Sequence, residues 1–326
     1  MANQTTSKKN NKNKVMIVIG IIIVLILVIG VSYIYTKLSS VNYQKIDKTK
    51  LDINEDLYND VSSVNENITK ENFDKIKTVV FFGTDSRDTE NMSSGRSDTI
   101  IIASINPITK RIKLISIPRD TYVTISNYGK DKINHAYAYG GEELSIKTIN
   151  NNFGLGISEY VTIDFSGLVN VIDTVGGVNI NITEAEKAFI NRGSKTKISN
   201  SGNVLLNGEQ ALVHSRNRTV GNDFERAARQ RIVLEALIQK IGSMEVSQML
   251  SLSDKMLKEV KTNMNIKDYT SMLTSIATSK SEYLSDIKSI QIPSTDYSSG
   301  QMIGGVYYFV PDLEKSKQDF YKAIYE

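Results

Sequence analysis

The sequence predicts an α/β protein, a three-layer α/β/α sandwich with a mixed central sheet, preceded by one N-terminal transmembrane helix. Three observations lead there. Between residues 77 and 326, apolar runs of strand length alternate with longer segments of helical periodicity. Two of those runs, 79–82 and 100–105, are too continuously apolar to leave one sheet face in water. Upstream, 15–35 holds 21 residues without a charge. A helix rising ~1.5 Å per residue spans roughly 30 Å over such a stretch, the thickness of a bilayer core.

The elements follow in order. Residues 1–14 carry Lys8, Lys9, Lys12 and Lys14 and no acid, a basic tail that the positive-inside rule places in the cytoplasm. A cleaved signal peptide would have a shorter apolar run ending at small residues. This run ends in Tyr33, Tyr35 and Lys37 and reads as an uncleaved anchor. Residues 36–76 are polar, with a loose apolar rhythm at Leu51, Ile53, Leu57, Val61 and Val64. They read as an extracellular stalk. The folded domain is expected over 77–326. Its strands are 79–82, ending at Gly83, then 100–105 and 111–117, joined by a turn at 106–110 that contains Pro107. A helix over 142–153 follows the turn-forming Gly140-Gly141. A strand at 160–163 leads to a helix over 164–175, stopped by Gly176-Gly177. Residues 190–207 read as loop. Helices are expected at 208–213, at 223–243 with Asp223 as N-cap, at 246–259 and at 266–279. Strands near 286–292 and 305–310 precede a last helix at 312–324.

Composition narrows the chemistry. The chain has 326 residues and no Cys, which excludes a disulfide scaffold, a thiolate metal site and a Cys nucleophile. Its two His, His135 and His214, cannot build a multi-His metal centre. His135 could serve as a general base, but a satisfied structural histidine is the better reading. The net charge of +3 resides in the tail: beyond it, 35 basic residues face 36 acidic ones. That balance gives no basic footprint for nucleic acid. No P-loop, dinucleotide fingerprint or nucleophile elbow occurs.

The order of strands makes a geometric prediction. If the first two run antiparallel, Asp85, just after one, approaches Asp98, just before the other. The short turn at 106–110 brings the third strand back to the same end at Pro118-Arg119-Asp120. Three polar clusters then converge: Asp85-Ser86-Arg87, Arg96-Ser97-Asp98 and Arg119-Asp120. Such a cluster can be a set of structural ion pairs, an acid/base carboxylate pair, or a Mg2+ site for a phosphorylated substrate. The arginines favour the last, because planar guanidinium forks bind phosphate bidentately. More arginines lie in His214-Ser-Arg216-Asn-Arg218, where an extended backbone would aim Arg216 and Arg218 to one face. On the long helix Arg226 and Gln230 are four apart, hence on one face. A phosphate site and a solvated basic helix start both remain open there. Phe165 and Phe224 read as core.

These segments together resemble the LytR-CpsA-Psr family of membrane-anchored bacterial proteins. The resemblance rests on FFGTDSR at 81–87, GRSDTIIIASINPITKRIKLISIPRD at 95–120, KINHAYAYGG at 132–141 and NGEQALVHSRNR with DFERAARQ at 207–230. It implies a Gram-positive cell-membrane protein with an external α/β/α domain and a lipid-holding cavity. It implies transfer of a glycopolymer, such as wall teichoic acid or capsule, from a polyprenyl-pyrophosphate carrier to peptidoglycan. By motif, Asp85 and Asp98 would hold Mg2+, with Mn2+ as an alternative. Arg119, Arg216 and Arg218 would contact pyrophosphate, and Arg87, Arg96, Arg226 and Gln230 would complete the polar site. Asp85 and Arg119 would carry catalysis. The acceptor would be a sugar hydroxyl, the 6-hydroxyl of N-acetylmuramic acid. His214 departs from the family, which often has an aromatic there. Two other functions compete: hydrolysis of the lipid pyrophosphate, and a regulatory or binding role in the cell envelope.

Overall fold

The computed structural model describes residues 42–84, 95–217, 223–265, 276 and 279–326. The described chain starts with strand β1 (Asn42–Tyr43), a 3-10 turn (Lys48–Lys50), and helices α1 (Leu57–Val64) and α2 (Lys70–Lys75). Strands β2 (Lys77–Thr84), β3 (Ser97–Asn106) and β4 (Arg111–Ser116) then form an antiparallel meander. The hairpin β5 (Tyr122–Ile125) and β6 (Gly129–Lys132) leads into α3 (His135–Phe153), β7 (Glu159–Asp164) and α4 (Phe165–Thr174). Next come β8 (Val178–Ile182), α5 (Glu184–Gly193) and β9 (Gly202–Leu206), with β8 and β9 antiparallel. Helices α6 (Gly208–Ser215), α7 (Asp223–Ser243) and α8 (Val246–Leu257) follow, then β10 (Val260–Thr262), α9 (Lys280–Ser285) and β11 (Ile287–Gln291). A last hairpin, β12 (Ser298–Ile303) and β13 (Val306–Pro311), precedes α10 (Leu313–Tyr325).

The central sheet has the order β1-β10-β7-β2-β3-β4-β11. It is mixed: β1 runs parallel to β10, β2 to β7 and β11 to β4, while β3 runs against both its neighbours and β10 against β7. Helices cover both faces. Val80, Phe82, Ile100, Ile102 and Ile115 point into a core with Ile146, Ile149 and Phe153 of α3 and Phe320 and Ile324 of α10. The alternate residues Ile101, Ala103, Ile105, Ile112 and Leu114 pack against Tyr283 of α9, with Leu234 and Ile238 of α7 beside them. A strand buried on both faces has no polar alternation, which is the property the 100–105 run displayed. A third core joins the antiparallel β8–β9 pair to α4, α5, α6 and α7 through Ile172, Ile180, Ile190, Leu206, Ala211 and Val233.

The expected stalk, 36–76, is corrected over its described part. Leu51 and Val61 are fully buried in the first core, with Leu57 and Ile68 beside them. Strand β1 pairs in parallel with β10, and Asn150 donates from Nδ2 to the Leu51 carbonyl at 2.9 Å. The loose apolar rhythm was a buried stripe whose partners lie far along the chain. Residues 190–207 are likewise not all loop: α5 runs to Gly193, started by a capping box between Thr183 and Glu186, and β9 occupies Gly202–Leu206. The expected turn at Gly140-Gly141 interrupts α3, with Gly141 at φ 60°. Most of the helix expected at 266–279 lies outside the described residues, as do the tail and the anchor at 15–35. No helix among the described residues is long and apolar enough to cross a membrane.

Candidate functional site

The site begins with a slip in the β2–β3 ladder. Gly83 sits opposite Thr99, and Thr84 opposite Ser97, so Asp98 is the extra residue of a β-bulge. Bulges re-aim a side chain at the end of a sheet. Here the re-aimed carboxylate accepts a hydrogen bond from Arg119 Nη1 at 2.9 Å, and both side chains are 23% exposed. Arg119 arrives where β4 ends. The Ile117 amide still bonds to Ile100, and a turn then forms in which Thr121 N donates to the Pro118 carbonyl at 3.1 Å. The antiparallel return predicted from the turn at 106–110 is therefore found.

Two further elements complete the walls. The β5–β6 hairpin brings Lys132, whose Nζ donates to Asp120 Oδ1 at 2.7 Å, and Arg119 Nε lies 3.6 Å from Asp120 Oδ2. Helix α7 presents Arg226, Ala227 and Gln230, and β13 adds Tyr307 and Phe309. Together they enclose a cavity of about 420 Å³. Its described walls carry three cations, Arg119, Lys132 and Arg226, and two carboxylates, Asp98 and Asp120. An excess of guanidinium and ammonium in a site of this size suits a polyanionic head group.

Beyond Gln230 the surroundings change. A second cleft of about 80 Å³ is lined by Phe81, Ile101, Ile163, Phe165, Leu168 and Val233, among others. Gln230 lines both spaces. A polar cavity and an apolar cleft thus meet at one residue.

The start of α7 is not a solvated basic face, because Arg226, Arg229 and Arg231 are all buried. A buried guanidinium must be matched by acceptors. Arg229 donates from Nη2 to the Asn217 carbonyl at 2.8 Å and lies 3.7 Å from Glu186, tying α7 to the segment after α6. Arg231 donates to Ser116 Oγ at the end of β4, and burial pulls its pKa down from the usual guanidinium range. His214 is almost completely buried, 3.9 Å from Glu186. Burial pushes its pKa down to about 4; Glu186 opposes the shift and Arg229 adds to it.

Of the residues expected from sequence, Asp98, Arg119, Arg226 and Gln230 share the cavity. Arg96 is exposed and lines neither space. Arg216 is exposed too, with its guanidinium 4.6 Å from the Phe165 ring centroid. The extended backbone expected at 214–218 is corrected at its first residues. Helix α6 continues to Ser215, and Arg216 N still bonds to Leu212, so Arg216 is helical. Asp85, Arg87 and Arg218 lie outside the described residues. Phe165 and Phe224 were expected in the core, but Phe165 lines the apolar cleft and Phe224 the cavity, edge-on to Phe309 at 5.0 Å. Sequence reasoning missed Lys132, Tyr307 and Phe309. Lys132 opens the quoted 132–141 segment, which was the available signal. His135 pairs with Asp131 at 2.7 Å and lines neither space.

A mixed α/β domain with a cation-rich cavity opening beside an apolar cleft defines a class of protein that handles an amphiphile with an anionic head. The LytR_cpsA_psr family model matches residues 32–324. The chain belongs to the LytR-CpsA-Psr family. An Enterococcus faecalis relative, named polyisoprenyl-teichoic acid–peptidoglycan teichoic acid transferase TagU, is 36% identical over 235 residues, covering 71% of this chain and 73% of the relative. The crystal structure of B. subtilis TagV superposes with a TM-score of 0.64 at 31% identity, over 77% of this chain and 97% of that one. The family protein YwtF (TagT) with bound octaprenyl pyrophosphate lipid superposes with a TM-score of 0.58 at 26% identity, over 77% and 90% of the two chains.

Proposed function

We propose that this chain is a transferase that moves a teichoic acid or related glycopolymer from a polyprenyl-pyrophosphate carrier to peptidoglycan. The observation that carries the reading is the junction at Gln230. Arg119, Lys132 and Arg226 stand on its polar side, and the Phe81–Phe165 cleft on its apolar side. A pyrophosphate joined to an isoprenoid has that division. The relatives named for teichoic acid transfer, and the structure holding octaprenyl pyrophosphate, support it.

In this reading the cations orient the pyrophosphate for in-line displacement. An acceptor sugar hydroxyl attacks the sugar-linked phosphorus. The bond from that phosphorus to the bridging oxygen breaks, polyprenyl phosphate leaves with the electron pair, and the hydroxyl proton passes to solvent. Arg119 and Arg226 meet the charge that develops on the leaving group. Asp98 keeps Arg119 in place.

Mg2+ belongs to the same proposal, held by Asp98 with Asp85 and replaceable by Mn2+. The donors fit a hard cation: beside Asp98, the hydroxyls of Thr84 and Ser97 are buried and find no hydrogen-bond partner among the described residues. When bound, the ion would offset phosphate charge. Arg87, Arg96, Arg216 and Arg218 are proposed as outer contacts to the head group. The 15–35 segment is proposed as a membrane anchor that leaves the domain outside a Gram-positive cell, layered as an α/β/α sandwich.

The test uses the full chain in detergent, a polyprenyl-pyrophosphate-linked glycopolymer and peptidoglycan oligomers. Phosphodiester-linked product should form with the native chain and fall at least about a hundredfold with Arg119→Ala. Undiminished transfer by that variant would overturn the assignment. Product that needs no acceptor would assign hydrolysis instead. Mg2+ should raise the unfolding temperature of the native chain and not that of Asp98→Asn.

A further inference from the structure

A run of tyrosine rings leads away from the cavity, and the transfer step above leaves it unused. Tyr128, in the β5–β6 turn, and Tyr139, near the start of α3, stack with centroids 4.3 Å apart and planes 10° from parallel. They are 53% and 41% exposed. Large rings held in water have a cause. The Tyr139 hydroxyl donates to Asp131 Oδ2 at 2.8 Å, the oxygen that His135 Nδ1 also approaches at 2.7 Å. Burial alone would raise the Asp131 pKa, but hydrogen bonds from His135, the Lys132 amide and Tyr139 hold it below the usual carboxylate value.

Side-chain contacts connect the rings to the cavity wall. Tyr308 on β13 reaches Asp131 Oδ1 at 3.5 Å, and Lys132 Nζ lies 5.7 Å from the Tyr308 ring centroid while bonding to Asp120 in the cavity wall. A chain of contacts links the stacked pair to the cavity wall: Tyr128 touches Tyr139, Tyr139 and Tyr308 share Asp131, and Tyr308 neighbours Lys132.

The chemistry selects a ligand class. A pyranose ring has a flat C–H face and a rim of hydroxyls. A preset tyrosine face takes the flat side at little entropic cost. A lipid tail would need unbroken apolar surface, and a polyanionic strand would need cations without the Asp131 carboxylate. We propose that the Tyr128–Tyr139 platform is an acceptor-glycan subsite, which holds one saccharide of a peptidoglycan strand so that a hydroxyl further along reaches the cavity. This rests on the transferase reading and adds where the acceptor lies.

The experiment uses the full chain in detergent and soluble uncrosslinked oligomers of N-acetylglucosamine and N-acetylmuramic acid. Calorimetry gives the oligomer Kd, and product formation gives the acceptor KM. Tyr128→Ala should raise both about tenfold, the loss of one stacking contact. Turnover at saturating acceptor and the KM for the lipid substrate should stay unchanged. Tyr128→Phe, which keeps the ring, should restore native values. Native oligomer affinity and acceptor KM in both Tyr128→Ala and the Tyr128→Ala/Tyr139→Ala pair would overturn the subsite. If the native chain releases no polyprenyl phosphate yet Tyr128→Ala still weakens oligomer binding, the transfer reading fails and the glycan site stands.

Discussion

Asp98 and Arg119 meet at 2.9 Å although they lie 21 positions apart in sequence. The two strands between them exist to make that meeting, and each end of the contact is set by backbone: a bulge at Asp98, a turn after Pro118. The pair should be intolerant of shape as well as charge. Arg119→Lys keeps the cation but loses the planar fork, which a compact ammonium cannot replace. We expect kcat/KM for the lipid substrate to fall about a hundredfold in this variant. Steady-state kinetics on the detergent-solubilised chain would check it, and a drop under threefold would contradict it.

Gly83 stands opposite Thr99 where the ladder slips. A Cβ built on Gly83 would lie 2.9 Å from the Thr99 Cβ and 3.0 Å from its Oγ1. These are atoms near the backbone that cannot swing away. Gly83→Ala should therefore cost about 1–3 kcal/mol of stability and also lower activity, because relief of the clash shifts the bulge that aims Asp98. Urea midpoints and transfer rates measured on one preparation would show whether both fall. A variant as stable as its parent would mean that the strands part without cost.

Legibility in the sequence followed how local each cause was. The 100–105 run announced a strand buried on both faces, and the turn at 106–110 announced the return that places Arg119 beside Asp98. Arg226 and Gln230 were readable because four residues on a helix fix a face. Lys132 was not, since its strand, Gly129–Lys132, is short and polar and is positioned only by pairing with β5. Arg216 was misjudged because nothing at His214-Ser215 stops α6, which closes with Asn217 N bonded to His214. The segment before residue 77 looked like a stalk because the partners of Leu51 and Val61, among them Phe153, Phe320 and Tyr321, come from later elements.

Beneath the kinked α3 lies a buried ion pair. Lys261 Nζ donates to Glu142 Oε2 at 3.1 Å, while Tyr137 and Thr162 donate to Oε1 at 2.9 and 3.0 Å. Burial, then the Glu142 charge and its hydrogen bond, pushes the Tyr137 pKa far up, so that hydroxyl stays a donor. Removing one member strands the other charge. Lys261→Met should cost about 3–5 kcal/mol, and adding Glu142→Gln should recover part of that loss. Urea unfolding of the single and double variants would test it. Equal losses in both would show that the charges are not coupled.

His214 sets a pH dependence whose sign can be worked out. Its pKa in the fold is pushed to about 4 by burial, against an ordinary value of 6.5. Above pH 6.5 the ring is neutral in both states and its contribution to stability is complete. Between 6.5 and about 4 the unfolded chain takes up a proton that the folded chain refuses, so stability falls as pH falls through that window. Below the folded value both states are charged and the loss levels off. The loss attributable to this group should be roughly 1–3 kcal/mol. His214→Phe places in the same position an aromatic ring that cannot titrate. The difference between native and variant unfolding free energies, measured in urea at pH 7 and pH 4.5, isolates the histidine from the carboxylates that titrate nearby. The native chain should lose more stability than the variant on acidification. Equal losses would mean that His214 gains its proton inside the fold, with Glu186 at 3.9 Å as the counter-charge.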